Sequence, residues 1–90
     1  MDNLEKKKLK SAAALKYFKG LPAPFVISKG KGNLADKIIA IAEQEGIHLV
    51  KDIDLNSKLM DLSIGDFIPE EMYEITAEIF SFIWELDKQK

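Results

Sequence analysis

The sequence contains no cysteine and no arginine; all thirteen of its basic residues are lysine. Without cysteine there is no disulfide framework, no thiol nucleophile and no thiolate metal ligand. A reducing compartment is compatible with that composition. Arginine supplies most bidentate contacts to phosphates and base edges, so its absence weakens a nucleic-acid reading. Histidine occurs once, at His48. A metal site needs three or four ligands and a general base needs a nucleophile or second acid in reach; no such spacing accompanies His48. No apolar run approaches the roughly 20 residues of a membrane helix. The N-terminus, MDNLEKKKLK, is charged where a signal peptide has an apolar centre. A cytoplasmic protein without membrane insertion is therefore expected, with no cofactor, no metal and no enzymatic residue set.

What is present fits a single domain. Ninety residues with 47% hydrophobic content can build one modest core. Charge is unevenly spread. Residues 1–20 hold six lysines against Asp2 and Glu5, a local +4, and residues 66–90 hold seven acids against two lysines, a local −5. Such asymmetry steers association with charged surfaces. Residues 1–11 read as a charged lead-in and 12–90 as the folded domain.

Along the chain, Ala12-Ala13-Ala14-Leu15-Lys16-Tyr17-Phe18 suits helix by its alanines and strand by its brevity, and composition leaves both open. Pro22 and Pro24 force an extended connection. Phe25-Val26-Ile27-Ser28 is a strand by its aromatic and β-branched content. Asn33 is an expected N-cap for a helix from Leu34 to about Glu45, with Leu34, Ile38, Ile41 and Ala42 as its apolar face and Gly46 as its stop. Ile47-His48-Leu49-Val50 reads as a second strand, so strand, helix and strand predict a parallel, right-handed βαβ unit. Asp54 is an expected cap for a short helix through Leu55, Leu59 and Met60. Pro69, Glu70 and Glu71 open a last helix that runs to about Lys88.

The last helix carries two apolar stripes. Met72, Ile75, Ile79, Phe82, Ile83 and Leu86 form one, and Tyr73, Ala77, Phe80 and Trp84 the other, both with steps of three and four. One stripe docks a helix. A second implies either burial on two sides or a partner surface. Other candidates carry less. Gly30-x-Gly32 before a helix lacks the third glycine of a dinucleotide loop, because position 35 is alanine, and lacks the remainder of a P-loop. Glu70, Glu71, Glu74 and Glu78 read as a solvated face near the positive end of the helix dipole.

Several stretches, taken together, resemble the cytoplasmic C-terminal domain of the FlhB/YscU export-switch family. Ala12-Ala13-Ala14-Leu15-Lys16-Tyr17 is similar to that family's AVALKY strand. Ala23-Pro24 and Lys29-Gly30 match its APxVVAKG. Leu34-Ala35, Ile38, Ile41-Ala42-Glu43 and Gly46-Ile47 follow its LAxxIxxIAxxxGV. Ile64-Gly65-Asp66-Phe67-Ile68-Pro69-Glu70-Glu71-Met72-Tyr73 is close to its IGDEIPEELY. The family often has Pro-Pro before the short helix, where this chain has Ile53-Asp54. The resemblance implies that residues 12–17 are a strand. It also implies a domain without the family's membrane part. Family members cleave themselves at an NPTH loop; the matching positions here are Lys7-Lys8-Leu9-Lys10, so no self-cleavage is implied.

The expected architecture is thus α/β, with a small central sheet of about three strands on a βαβ core and three flanking helices. The resemblance implies a non-enzymatic interaction domain of flagellar or type III protein export, peripheral at the export gate. It would dock export substrates or complement a truncated switch protein. By position, the family's docking patch falls on Ala23, Pro24, Ala77 and Phe80, and the second stripe adds Tyr73 and Trp84. The competing reading is a lysine-rich binder of nucleic acid or anionic surfaces through Lys6–Lys10, Lys29 and Lys31, marked by steep salt dependence.

Overall fold

The computed structural model of the protein describes residues 10–88. Residues 1–9, with most of the charged lead-in and positions 7–9 of the cleavage-loop comparison, lie outside the described residues.

Strand β1 (Ser11–Lys16) pairs antiparallel with β2 (Phe25–Lys31), from Ser11 opposite Lys31 to Lys16 opposite Phe25, with a bulge at Ala14/Leu15. The alanine-rich run is therefore a strand. Helix α1 (Asn33–Gln44) follows, then α2 (Ile53–Met60), a 3₁₀ turn at Glu70–Met72, and α3 (Tyr73–Lys88). The mixed α/β class with three helices is as expected.

The third strand is a correction. Among the described residues the sheet has two strands, and Ile47–Val50 is irregular chain outside it, its apolar side chains exposed. The connection from β1 to β2 is a hairpin, so there is no parallel crossover. The IGDFIP segment takes the open edge at the start of β2 instead. The Val26 amide donates to the Asp66 carbonyl (3.0 Å), Gly65 to Val26 (2.7 Å) and Ile68 to Pro24 (2.9 Å), with Phe25 and Phe67 facing each other across an antiparallel bridge. Strand-forming composition needs a neighbouring strand, and among the described residues Ile47–Val50 has none.

Two caps also differ from expectation. Asp52, not Asp54, caps α2 by accepting from the Leu55 amide at 2.9 Å. Asn33 is already helical, and the cap position of α1 falls on Gly32. Gly46 does end α1: with φ +70° it lets its own amide reach the Glu43 carbonyl and the Ile47 amide reach Ala42 (3.3 and 2.8 Å), the paired bonds of a Schellman stop.

The core is small. Ala23, Leu55, Leu59, Ile68 and Met72 cluster together, with Ala13, Leu15, Leu62 and Ile79 packed around them. Helix α1 presents Ala35 and Ala42 as its buried residues, while Leu34 and Ile41 remain exposed. The expected face was thus rotated: small side chains let α1 come close to the strands. At the contact with Gly30, any side chain on that glycine would run into Leu34.

Candidate docking surface

Helix α3 buries a narrower face than its hydropathy suggests. Met72 and Thr76 are buried, and Ile79 and Ile83 are half-buried. These four positions, spaced four, three and four, line one meridian of the helix. Thr76 is only 2% exposed although polar. It can sit there because its hydroxyl donates to the Met72 carbonyl at 2.7 Å, one turn back. Ile75 and Phe82 of the expected core stripe fall outside that meridian, Leu86 continues it near the end of the helix, and all three are exposed.

The second stripe lies on the surface. Tyr73 is 43% and Trp84 67% exposed, Ala77 is exposed and Phe80 is half-buried. Phe80 packs against Tyr17, with ring centroids 5.8 Å apart. This brings the end of β1 onto the middle of α3. The Lys88 ammonium stands 5.2 Å from the Trp84 ring centre, within reach for a cation–π contact. Farther along, His48 Nε2 lies 3.2 Å from Asp87 Oδ1, which ties the Ile47–Val50 segment to the end of the helix.

The six candidate residues therefore separate into two groups. Tyr73, Ala77, Phe80 and Trp84 share one surface meridian of α3. Ala23 is 3% exposed and belongs to the core cluster, and Pro24 is buried, its carbonyl bonded to the Ile68 amide. Their side chains are used within the domain. Tyr17 and Phe18, both exposed, were not singled out by spacing; the signal was an aromatic pair just before the Gly20 turn.

Among the described residues, the lysines named for an anionic partner, Lys10, Lys29 and Lys31, have separate surroundings. Lys29 turns inward, its ammonium donating to the carbonyls of Met60 (2.9 Å) and Leu62 just past the end of α2. Lys10 pairs with Asp36 at 2.7 Å. Lys31 remains exposed.

Comparison with known proteins follows from this geometry. The family described as "FlhB HrpN YscU SpaS Family" matches residues 9–83. The chain is 42% identical over 85 residues to YlqH of Bacillus subtilis strain 168, covering 93% of this chain and 91% of that protein. It is 41% identical over 81 residues to the flagellar biosynthetic protein FlhB of Buchnera aphidicola subsp. Schizaphis graminum, covering 88% of this chain. The chain thus spans nearly all of YlqH but only 21% of that FlhB. Among solved structures, the cytoplasmic domain of FlhB from Shewanella putrefaciens superposes with a TM-score of 0.80 at 29% identity, over 88% of this chain and 66% of that one. A point variant of the EscU C-terminal domain gives 0.78 at 33% identity, over 82% and 92%. No helix among the described residues is long and apolar enough to cross a membrane. Family match, curated relatives and superposition converge: the chain belongs to the FlhB/HrpN/YscU/SpaS family of flagellar and type III export proteins.

Proposed function

We propose that this domain is a non-enzymatic, cytoplasmic docking module of the export apparatus, receiving polypeptides on the outer meridian of α3. The observation that carries this reading is the exposure of Tyr73, Ala77 and Trp84 in line with half-buried Phe80. Tyr17 beside Phe80 widens the apolar surface. Ala23 and Pro24 are buried within the domain, and on this reading they do not contact the visitor. One apolar anchor buried there contributes roughly 1.5–3 kcal/mol, which gives weak, reversible docking suited to transit. Ala77→Asp and Phe80→Asp are expected to abolish pull-down of export substrates while circular dichroism stays unchanged. Binding that survives both substitutions refutes the assignment.

A second reading concerns the outer edge of β1. Lys10 and Gly32 share a backbone hydrogen bond. Ladder alternation then turns the peptide groups of Ser11 and Ala13 away from β2. Asn56 covers Ser11 through its side-chain amide, at 3.2 Å from the carbonyl, and among the described residues no strand lies beyond. Such an edge accepts an added strand. On this reading the domain assembles with a switch protein that ends at its own cleavage site. The two are expected to co-purify at micromolar concentrations, and Ala13→Pro, which removes an outward amide, is expected to prevent it.

A further inference from the structure

A groove on another face of α3 fits a different class of ligand. Two adjoining hollows, about 440 and 370 Å³, run between α2 and the segment from Pro69 to Glu78 and share Lys58, Glu71 and Met72. The floor is apolar: Leu55, Met72 and Ile75 in one hollow, Leu62, Pro69 and Met72 in the other. Both banks are acidic. Asp52, Asp54 and Asp61 stand on the α2 side, and Glu71, Glu74 and Glu78 on the α3 side. Among the described residues Lys58 is the one cation lining either hollow. Asp52 is committed to capping α2. The other five carboxylates form no ion pair with any described residue.

An apolar floor between two anionic banks selects its occupant by charge as well as shape. An apolar peptide would leave the carboxylates without partners, and an acidic one would be repelled. A helix with an apolar strip flanked by lysines or arginines satisfies floor and banks together. We propose that this groove binds a basic amphipathic segment of a partner polypeptide. Glu71, Glu74 and Glu78 are exposed, as the reading of a solvated face expects, and the proposal adds a recognition role to them. The groove uses no residue of the Tyr73–Trp84 meridian, so the two surfaces can fail independently.

The test uses the full chain and two synthetic peptides of identical leucine and lysine composition, one with helical amphipathic order and one scrambled. Binding is followed by amide NMR at about 0.15 M salt, where exposed charges beyond roughly 8 Å are screened. The amphipathic peptide is expected to move the amides of Leu55, Lys58, Glu74 and Ile75. Replacing Glu71, Glu74 and Glu78 together with Gln should weaken it roughly tenfold, the sum of three modest exposed ion pairs. Lys58→Gln, which removes the opposing charge, should tighten it, an effect that damage to the fold would not produce. Phe80→Asp should leave it unchanged. Equal binding of the scrambled peptide overturns the proposal, since charge attraction alone would then account for it. So do shifts confined to Tyr73, Phe80 and Trp84. Movement of the groove amides in the peptide-free protein when Lys6, Lys7 and Lys8 become Gln also overturns it, because the chain's own lysines would then be the occupant.

Discussion

Two regions of this molecule have similar hydropathy and opposite fates. In one, Ala23, Val26, Leu55, Leu59, Ile68 and Met72 are sealed between the hairpin, α2 and the start of α3. In the other, Ile47, Leu49 and Val50 on the α1–α2 connection and Ile53 at the start of α2, with Phe82 and Trp84 on α3, stay in contact with water; Ile53 is 86% exposed. The first set converges because the IGDFIP segment hydrogen-bonds to the start of β2 and draws Ile68 and Met72 inward. The second set meets no opposing layer among the described residues. Apolar composition therefore marks two things here, a core and an exposed apolar surface.

The comparison breaks most visibly if the two sets respond alike to truncation. Ile68→Ala is expected to cost about 2–4 kcal/mol, as buried aliphatic truncations do. Ile53→Ala should change stability by less than about 0.5 kcal/mol. Urea unfolding of both variants checks this, and equal losses would mean that Ile53 is packed in solution. The next effect concerns Lys29. Lys29→Met leaves the Met60 and Leu62 carbonyls without their donor, which should cost about 1–3 kcal/mol. Lys31→Met, two residues on and exposed, should be neutral. Equal responses would place Lys29 in solvent and restore it to the anion-binding reading.

A smaller difference separates Asp52 from Asp54. Asp52→Ala removes the bond to the Leu55 amide and should cost about 1 kcal/mol. Asp54→Ala removes only a favourable charge in the first turn, worth about 0.3–1 kcal/mol at low salt. Added salt should therefore abolish the Asp54 effect and spare most of the Asp52 effect.

Much of this was legible in residue order. The strand at Phe25, the stop at Gly46 and the end of α3 near Lys88 all follow from local chemistry. The alanine run at Ala12–Ala14 did not, because alanine favours helix and only pairing with β2 overrides it. Ile47–Val50 failed for the converse reason: its β-branched content is local, but a ladder partner is not. Asp52 and Asp54 could each cap a helix, and only the position of the first turn decides between them. On α3 the spacing of three and four disclosed two stripes but not which meridian is buried. Thr76 decides that: a hydropathy count passes over it, yet its hydroxyl is satisfied within the helix. The surplus of apolar residues at Tyr73, Ala77, Phe80 and Trp84 was legible, but its surface position was not; nor was the burial of Ala23, which depends on Ile68 and Met72 arriving from far along the chain.

The finest distinction is optical. Trp84 is the single tryptophan and lies on the exposed meridian, so its indole reports on that surface and little on the core. Its emission should be that of a hydrated ring in the native protein, and full unfolding in urea should shift it only slightly. Acrylamide should quench it almost as efficiently before unfolding as after. A polypeptide seated on the meridian would dehydrate the ring, move its emission to shorter wavelength and protect it from acrylamide. A peptide in the acidic groove, which Trp84 does not line, should leave it unchanged. A native spectrum already blue-shifted and shielded would mean that α3 covers Trp84 in the free protein, and the contrast between the two apolar sets would then fail at the residue where it is sharpest.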